Sequence, residues 1–184
     1  GEDLKKTELY HANAQRRQAQ ASFADYNDYL RSLEMTATIR GFEGIYIQRI
    51  AQLTNKSNQF NLTTLRCSED EIRAMAENPN WLCLYGKLAD KFGDNGVVTV
   101  VAGEQQGETL HLRLWLMSCR VLKRGMEDAM MDCLVRDALA RGVRQIIGYY
   151  YPTAKNGMVR DFYAGMGFAQ ASADADGSTT WTLD

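Results

Sequence analysis

The stretch LHLRLWLMSCRVLKRGMEDAMMDCLVRDALARG, Leu110–Gly142, decides the fold, because it reads as one strand, one tight turn and one helix. Leu110, Leu112, Leu114 and Leu116 alternate with His111, Arg113, Trp115 and Met117. A strand has a side-chain period of two, so the leucines are expected on one face. From Met126 the period changes. Met126, Ala129, Met130, Cys133, Leu134 and Ala138 recur at three- and four-residue steps, with Asp128, Asp132, Arg136 and Arg141 largely off that stripe. This is the pattern of a helix with one apolar side. Gly142 is the expected stop, since glycine takes a positive φ after the last turn.

The turn itself, SCRVLKRGME at 118–127, gathers Arg120, Lys123 and Arg124 around a helix start. A helix start presents unpaired N–H groups and a partial positive charge. With added basic residues it can seat an anion such as a pyrophosphate or a phosphopantetheine phosphate. The other reading is a set of solvated surface charges.

Outward from this unit, Trp81–Asp90 and Val97–Gly103 read as strands, with FGDNG at 92–96 as the turn between them and GEQQGE at 103–108 as the next. With the leucine strand they form an antiparallel meander. Val143–Tyr149 reads as a further strand, and its crossover through the helix predicts a parallel, right-handed connection. The loop YYYPTAKNG follows, then a helix over Met158–Tyr163 ended by GMGF at 165–168, and a last strand over Ser178–Leu183.

Upstream, residues 3–20 are polar and predict a weakly buried helix. Ser22 is read as a cap for a helix carrying Phe23, Tyr26, Leu30 and Leu33. Met35, Ala37 and Ile39 predict a strand ending at Gly41, and Ile45, Arg49, Ile50 and Leu53 a short helix. In NKSNQFNLTTLRCS, 55–68, the amides of Asn58, Gln59 and Asn61 surround Phe60. Such amides either satisfy backbone groups or bind a polar ligand. Leu62–Cys67 reads as a strand. Ser68 with Glu71 fits a capping box for a helix that Asn78 and Pro79 end. The sum is an α+β fold: a mixed, mostly antiparallel sheet with helices on its faces.

At 184 residues and 45% apolar, the chain can bury a core of its own. A net charge of −2 argues against nucleic acid as the main partner, and no apolar run suggests a membrane span. Cys67, Cys83, Cys119 and Cys133 form no CxxC pair, so no metal site is expected and a reduced, cytoplasmic chain is the simpler reading.

This order of elements resembles the GCN5-related (GNAT) acetyltransferase fold, in which a glycine-rich basic turn after a strand binds the coenzyme A pyrophosphate. Arg124 and Gly125 fit the Arg-Gly start of that turn, while Glu127 stands where its last glycine belongs. A carboxylate there opposes a pyrophosphate through charge and bulk. Asn156, Phe162, Tyr163, Gly167 and Phe168 match the family's Asn…Tyr…Gly-Phe ending, and the resemblance makes Tyr163 the acid for a leaving thiolate. NQFN at 58–61, FGDNG at 92–96, SCRVLKRGME at 118–127 and YPTAKN at 151–156 together resemble the FkbH-like proteins. That resemblance implies an N-terminal haloacid-dehalogenase-type domain (subfamily IIIC) joined to a C-terminal acetyltransferase-like domain. It also implies glyceryl transfer from 1,3-bisphosphoglycerate to an acyl carrier protein for polyketide extender units. The chain lacks a DxDxT motif and is read as the C-terminal half: 1–21 as a linker helix from the preceding domain, 22–184 as the acyltransferase domain.

An acyl group moving to a carrier thiol can pass through an enzyme cysteine. Cys119, at the strand end beside Arg120, is the candidate nucleophile; the other reading is a buried side chain beside a structural Arg120–Glu127 ion pair. His111 is eight residues back along the strand, roughly 26 Å at about 3.3 Å per residue, too far to act as its base. Glu127 is a candidate base, or a partner for Arg120 or Arg124. Thr153, Lys155 and Asn156 stand on the loop after the Val143 strand. Lys155 either contacts a phosphate or is simply solvated. The expected site is thus Cys119, Tyr163 and Glu127 for chemistry. Arg120, Arg124, Gly125, Lys155 and Asn156 would hold phosphopantetheine or coenzyme A, and Asn58, Gln59, Asn61 and Thr153 the substrate. The expected partners are an acyl carrier protein and the haloacid-dehalogenase-type domain. Two alternatives stand beside this: an acetyl-CoA-dependent N-acetyltransferase, and a non-catalytic docking module.

Overall fold

A computed structural model describes residues 2–184. Six α-helices and seven strands occur among them: α1 Glu2–Ala21, α2 Tyr26–Ser32, β1 Thr36–Gly41, α3 Ile47–Lys56, α4 Glu69–Glu77, β2 Trp81–Asp90, β3 Gly93–Gln106, β4 Thr109–Met117, α5 Met126–Ala140, β5 Gln145–Tyr150, α6 Phe162–Gly165, β6 Ala169–Ala173 and β7 Thr179–Leu183. The strands form one sheet in the order β1-β2-β3-β4-β5-β7-β6, with β4 and β5 parallel and β5, β7 and β6 antiparallel. Residues 2–38 with 87–96 make one compact unit, and 39–86 with 97–184 a second.

In the first unit, the buried side chain of Arg16 grips Asp90 through two hydrogen bonds, of 2.6 and 2.8 Å. Asp90 also accepts from the N–H groups of Phe92 (2.9 Å) and Gly93 (3.2 Å). This carboxylate fixes the hairpin turn at Lys91–Phe92, ahead of the expected FGDNG turn. Asp94, Asn95 and Gly96 instead run within β3, where Gly96 takes φ +70°. The cap of α2 is likewise Asp25, which accepts from the Asn27 N–H, and not Ser22, whose hydroxyl donates to the Ala19 carbonyl as α1 ends.

The second unit carries the site. Its core joins Ile47, Ile50 and Leu53 of α3 and Ile72 of α4 to Tyr85, Val100, Ala102, Leu114 and Leu116 of the sheet. The capping box of α4 is present in both directions, Ser68 with Glu71. Beneath Met126 and Met130 of α5 lies Gly86, where a Cβ would come 2.8 Å from the Met126 side chain.

The leucines of β4 do not share one face. Ala102 pairs with Leu114, but the next residue, Gly103, pairs with Leu112. Consecutive residues on β3 point to opposite faces, so their partners do too; Arg113 is the extra residue of a β-bulge. Leu114 and Leu116 join the α3–α4 core. Leu112 faces the other way with its parallel partner Gly148, against which the Tyr163 ring lies. A bulge bends its strand, and here it ends a ladder: the β4–β5 pairing stops at Leu112–Gly148.

Leu62–Cys67 is not a strand, and the helix expected over Met158–Tyr163 is a 3-10 turn at Gly157–Val159 followed by the short α6. β6, whose Ala and Ser residues give no apolar alternation, is found at the sheet edge with every residue exposed.

Candidate functional site

Beyond the bulge, the edge of β4 that faces β5 has backbone groups with no strand to pair with. Buried backbone donors and acceptors need partners, and the loop between α3 and α4 supplies them. The Leu62 N–H donates to the Trp115 carbonyl, and the Met117 N–H to the Phe60 carbonyl, each at 3.0 Å. These bonds flank an antiparallel bridge between Asn61 and Leu116. The Thr63 hydroxyl donates to the Arg113 carbonyl (2.7 Å). On the opposite side, the Tyr151 N–H, just past β5, donates to the Leu62 carbonyl (2.9 Å). Phe60 and Leu62 are buried, and the Phe60 ring meets Phe162 edge-on at 5.3 Å. The segment Phe60–Thr63 therefore fills the gap that β4 and β5 leave.

Two asparagines hold it there. Asn61 is 0% exposed; its amide donates to the Ser57 carbonyl (3.0 Å) and accepts from the Thr64 N–H (2.9 Å). Asn156, also 0% exposed, donates to the carbonyls of Asn61 and Tyr151, each at 2.9 Å. Its oxygen accepts from the Thr153 N–H (2.8 Å) and the Tyr150 hydroxyl (3.3 Å). The Thr153 hydroxyl accepts the N–H groups of Lys155 (3.1 Å) and Asn156 (3.2 Å), and the Lys155 side chain is exposed. Asn61, Asn156 and Thr153 thus bond backbone across three segments. Asn58 accepts from Arg66 at 2.6 Å, and Arg66 also donates to the carbonyls of Thr54 and Ser57. Arg66 is a clamp that sequence reasoning missed; nothing in spacing distinguishes it from a solvated arginine.

The basic turn is built differently. Ser118 caps a 3-10 turn, Cys119–Val121, and its hydroxyl accepts from the Arg120 N–H and Nε. Cys119 is exposed, and its Sγ donates to Oε1 of the exposed Gln59 at 3.3 Å. Its sulfur is therefore open to solvent at the end of β4. The remaining thiols differ: burial pushes Cys67 up to about 11 and Cys83 up to about 12, while Cys133 is half-buried on α5. Lys123 (φ +61°) and Gly125 (φ +89°) bend the chain into α5, and only glycine takes the second value without penalty. Glu127 accepts from the Lys123 N–H (3.3 Å), closing the turn, and its place in the first turn of α5 suits a carboxylate. The guanidinium of Arg124 donates to the Arg120 carbonyl (3.1 Å). Arg49 of α3, expected only as part of a short helix, is a basic residue that the sequence did not assign to the site. Burial, and then repulsion from Arg120, lower its pKa, so its guanidinium lies within electrostatic reach of this turn.

Tyr163 is 1% exposed, its hydroxyl has no hydrogen-bond partner among the described residues, and burial pushes its pKa well above the usual tyrosine value. Its ring packs among Trp115, Phe162 and Phe168. The structure thus joins Gln59 to Cys119, and Asn61 to Asn156 and Thr153, while Tyr163 lies in an aromatic cluster. Among the described residues, no group of three or more His, Cys, Asp or Glu side chains is placed to hold a metal. No helix among them is long and apolar enough to cross a membrane.

Neither a protein-family model nor a curated protein matches the sequence. Solved structures do match the fold. The GNAT domain of S. lividans PAT superposes with a TM-score of 0.62 at 16% identity, over 80% of this chain and 90% of its own. The ribosomal-protein-S18-alanine N-acetyltransferase of Escherichia coli gives 0.60 at 15% identity, over 80% and 93%. Spermidine N-acetyltransferase of Vibrio cholerae, solved with CoA and spermine, gives 0.59 at 11%, over 80% and 94%. The fold is that of the GNAT N-acetyltransferases: a mixed, mostly antiparallel sheet flanked by helices.

Proposed function

We propose that this chain is an acyltransferase domain that passes an acyl group, glyceryl by resemblance to the FkbH-like proteins, to the phosphopantetheine thiol of an acyl carrier protein. Cys119 is the intermediate acceptor. Its thiolate attacks the carbonyl carbon of an acyl phosphate and phosphate leaves; the carrier thiolate then attacks the resulting thioester and Cys119 departs as thiolate. Arg120, the next residue in the chain, supplies positive charge near that sulfur, Arg49 adds to the charge around Arg120, Glu127 holds the turn, and a haloacid-dehalogenase-type domain is the proposed covalent partner. The observation that carries the reading is the exposure of Cys119 at the mouth of the basic turn, in contact with Gln59.

A second reading, an acetyl-CoA-dependent N-acetyltransferase, draws support from the fold neighbours, some solved with coenzyme A. The filled gap and the buried Tyr163 hydroxyl weigh against it. Intact mass of the protein, with and without the haloacid-dehalogenase-type domain, after incubation with phosphorylated three-carbon acids and a holo carrier protein separates the two. An acyl adduct that vanishes in Cys119→Ala supports the transferase. An adduct that survives the substitution refutes the cysteine's role. Acetylation of an amine from acetyl-CoA that is indifferent to Cys119 establishes the second reading, and carrier binding without any transfer leaves a docking module.

A further inference from the structure

Where parallel strands part, the facing edges expose N–H and C=O groups at strand spacing. An extended ligand with amides of its own, such as a pantetheine arm, can pair with them as an added strand does. In this chain those groups are taken. Trp115 and Met117 on the β4 edge are bonded to Leu62 and Phe60, and Tyr151 beyond β5 is bonded to Leu62. Thr63 bonds Arg113, and Asn156 secures the Asn61 carbonyl. Phe60 and Leu62 fill the space between with buried apolar side chains. Freeing the edge would break backbone bonds to both strands and expose two apolar residues at once. Next to this filled stretch, Gln59 emerges into solvent and touches the exposed sulfur.

We propose that Phe60–Thr63 is a built-in strand that keeps an extended, amide-bearing arm out of the gap between β4 and β5, so that a thiol on such an arm meets Cys119 from the solvent side, past Gln59. The identity of the arm rests on the transferase reading; its path does not. Coenzyme A and a carrier's phosphopantetheine share this arm, and both are excluded from the gap.

Pantethine, the symmetrical disulfide of pantetheine, tests the path directly. The Cys119 sulfur bonds to one sulfur of the disulfide, the S–S bond breaks, and the other half leaves as free pantetheine, taking up the proton that Cys119 gave. Hydrogen exchange is then followed at the amides of Leu62, Met117 and Tyr151, with Cys119→Ser as the control that forms no adduct. The expected result is an adduct at Cys119 with exchange at these amides unchanged within about twofold. Exchange faster by about tenfold or more at Leu62 and Met117 would mean that the arm has displaced the segment, and overturns the proposal. Failure to form the adduct also overturns it, since the arm then cannot reach the sulfur from solvent. An adduct with unchanged exchange, in a protein that transfers no acyl group, would sink the transferase reading and leave this one standing.

Discussion

The amide loop at 57–66 and the basic turn at 118–125 lie side by side, joined by the Gln59–Cys119 contact, yet they handle their polar groups in opposite ways. The loop is rich in side chains that bind ligands elsewhere, but its Asn61 is buried and bonded to backbone, as is Asn156, which reaches it from the segment after β5. The turn keeps Cys119 and Arg120 exposed. The cause of the difference is the bulge at Arg113. It ends the β4–β5 ladder and leaves backbone groups inside the protein that only a third segment can satisfy. The turn lies beyond the end of β4, where solvent meets that need. Residue type alone therefore misleads: the burden of satisfying a broken ladder decides which polar side chains are available for chemistry.

This contrast can be broken most sharply with Asn156→Ala against Cys119→Ala. The first leaves the Thr153 N–H and the carbonyls of Asn61 and Tyr151 without their partner, and is expected to cost about 3 kcal/mol of stability. The second removes an exposed thiol and is expected to change stability by no more than about 0.5 kcal/mol. Urea unfolding midpoints measure both. Equal losses would mean that the turn is as structural as the loop. Glycines sharpen the same comparison at a smaller scale. A Cβ on Gly148 would lie 2.6 Å from the Tyr163 ring, whereas one on Gly125 meets nothing within 4 Å but sits at φ +89°. Gly148→Ala is expected to cost about 2 kcal/mol through overpacking and Gly125→Ala about 1 kcal/mol through backbone strain. The reverse order would place the tighter constraint at the turn.

Much of the fold was legible in the sequence because it rests on local signals. The positive φ of Gly142 and the Ser68–Glu71 capping box appear as their residues predict, and so does most of the helical stripe from Met126, to which the structure adds Met131 while Ala129 and Cys133 are half-buried. The parallel return of β5 also appears as predicted. What failed was non-local. The Asp94-Asn95-Gly96 signal marks a turn on its own, but Asp90, held by Arg16 from α1, fixes the turn earlier. Strict leucine alternation says nothing of a bulge, since a bulge shows only in the partner strand's register. The site divides in the same way. Cys119 could be set apart from the other cysteines by its position at the strand end. That Asn61 bridges to Leu116 and Asn156 to Asn61, partners 55 and 95 residues apart, has no sequence signature.

Tyr163 tests how far the interior side of the contrast reaches. Its hydroxyl is buried without a partner among the described residues, a cost to folding that phenylalanine removes. Tyr163→Phe is expected to raise stability by about 1 kcal/mol. If the hydroxyl also serves as a proton donor, the same substitution lowers transfer while stability rises, which separates the two roles. A loss of stability instead would mean that the hydroxyl has a bonding partner in solution.

The smallest expected effect comes from the paired half of β4, below the bulge. His111 Nδ1 lies 2.7 Å from the Tyr149 hydroxyl, and the two rings stack. Burial first, then the Arg113 guanidinium, lower the imidazole pKa below its usual 6.5, with Glu104 opposing. Above about pH 6.5 the ring is neutral in both the folded and the unfolded chain and adds no pH dependence. As pH falls below that value, the unfolded chain takes up the proton first, so stability declines until pH passes below the folded value. His111→Gln removes this titration while keeping a side chain able to hydrogen-bond Tyr149. Carboxylates add their own acid slope to both proteins, so the difference between the two unfolding curves isolates the imidazole. That difference should shift in favour of the variant as pH drops from about 7 to about 5. A difference that stays flat over this range would mean that His111 is as well solvated in the fold as in the open chain. The ladder below the bulge would then be as wet as the turn above it.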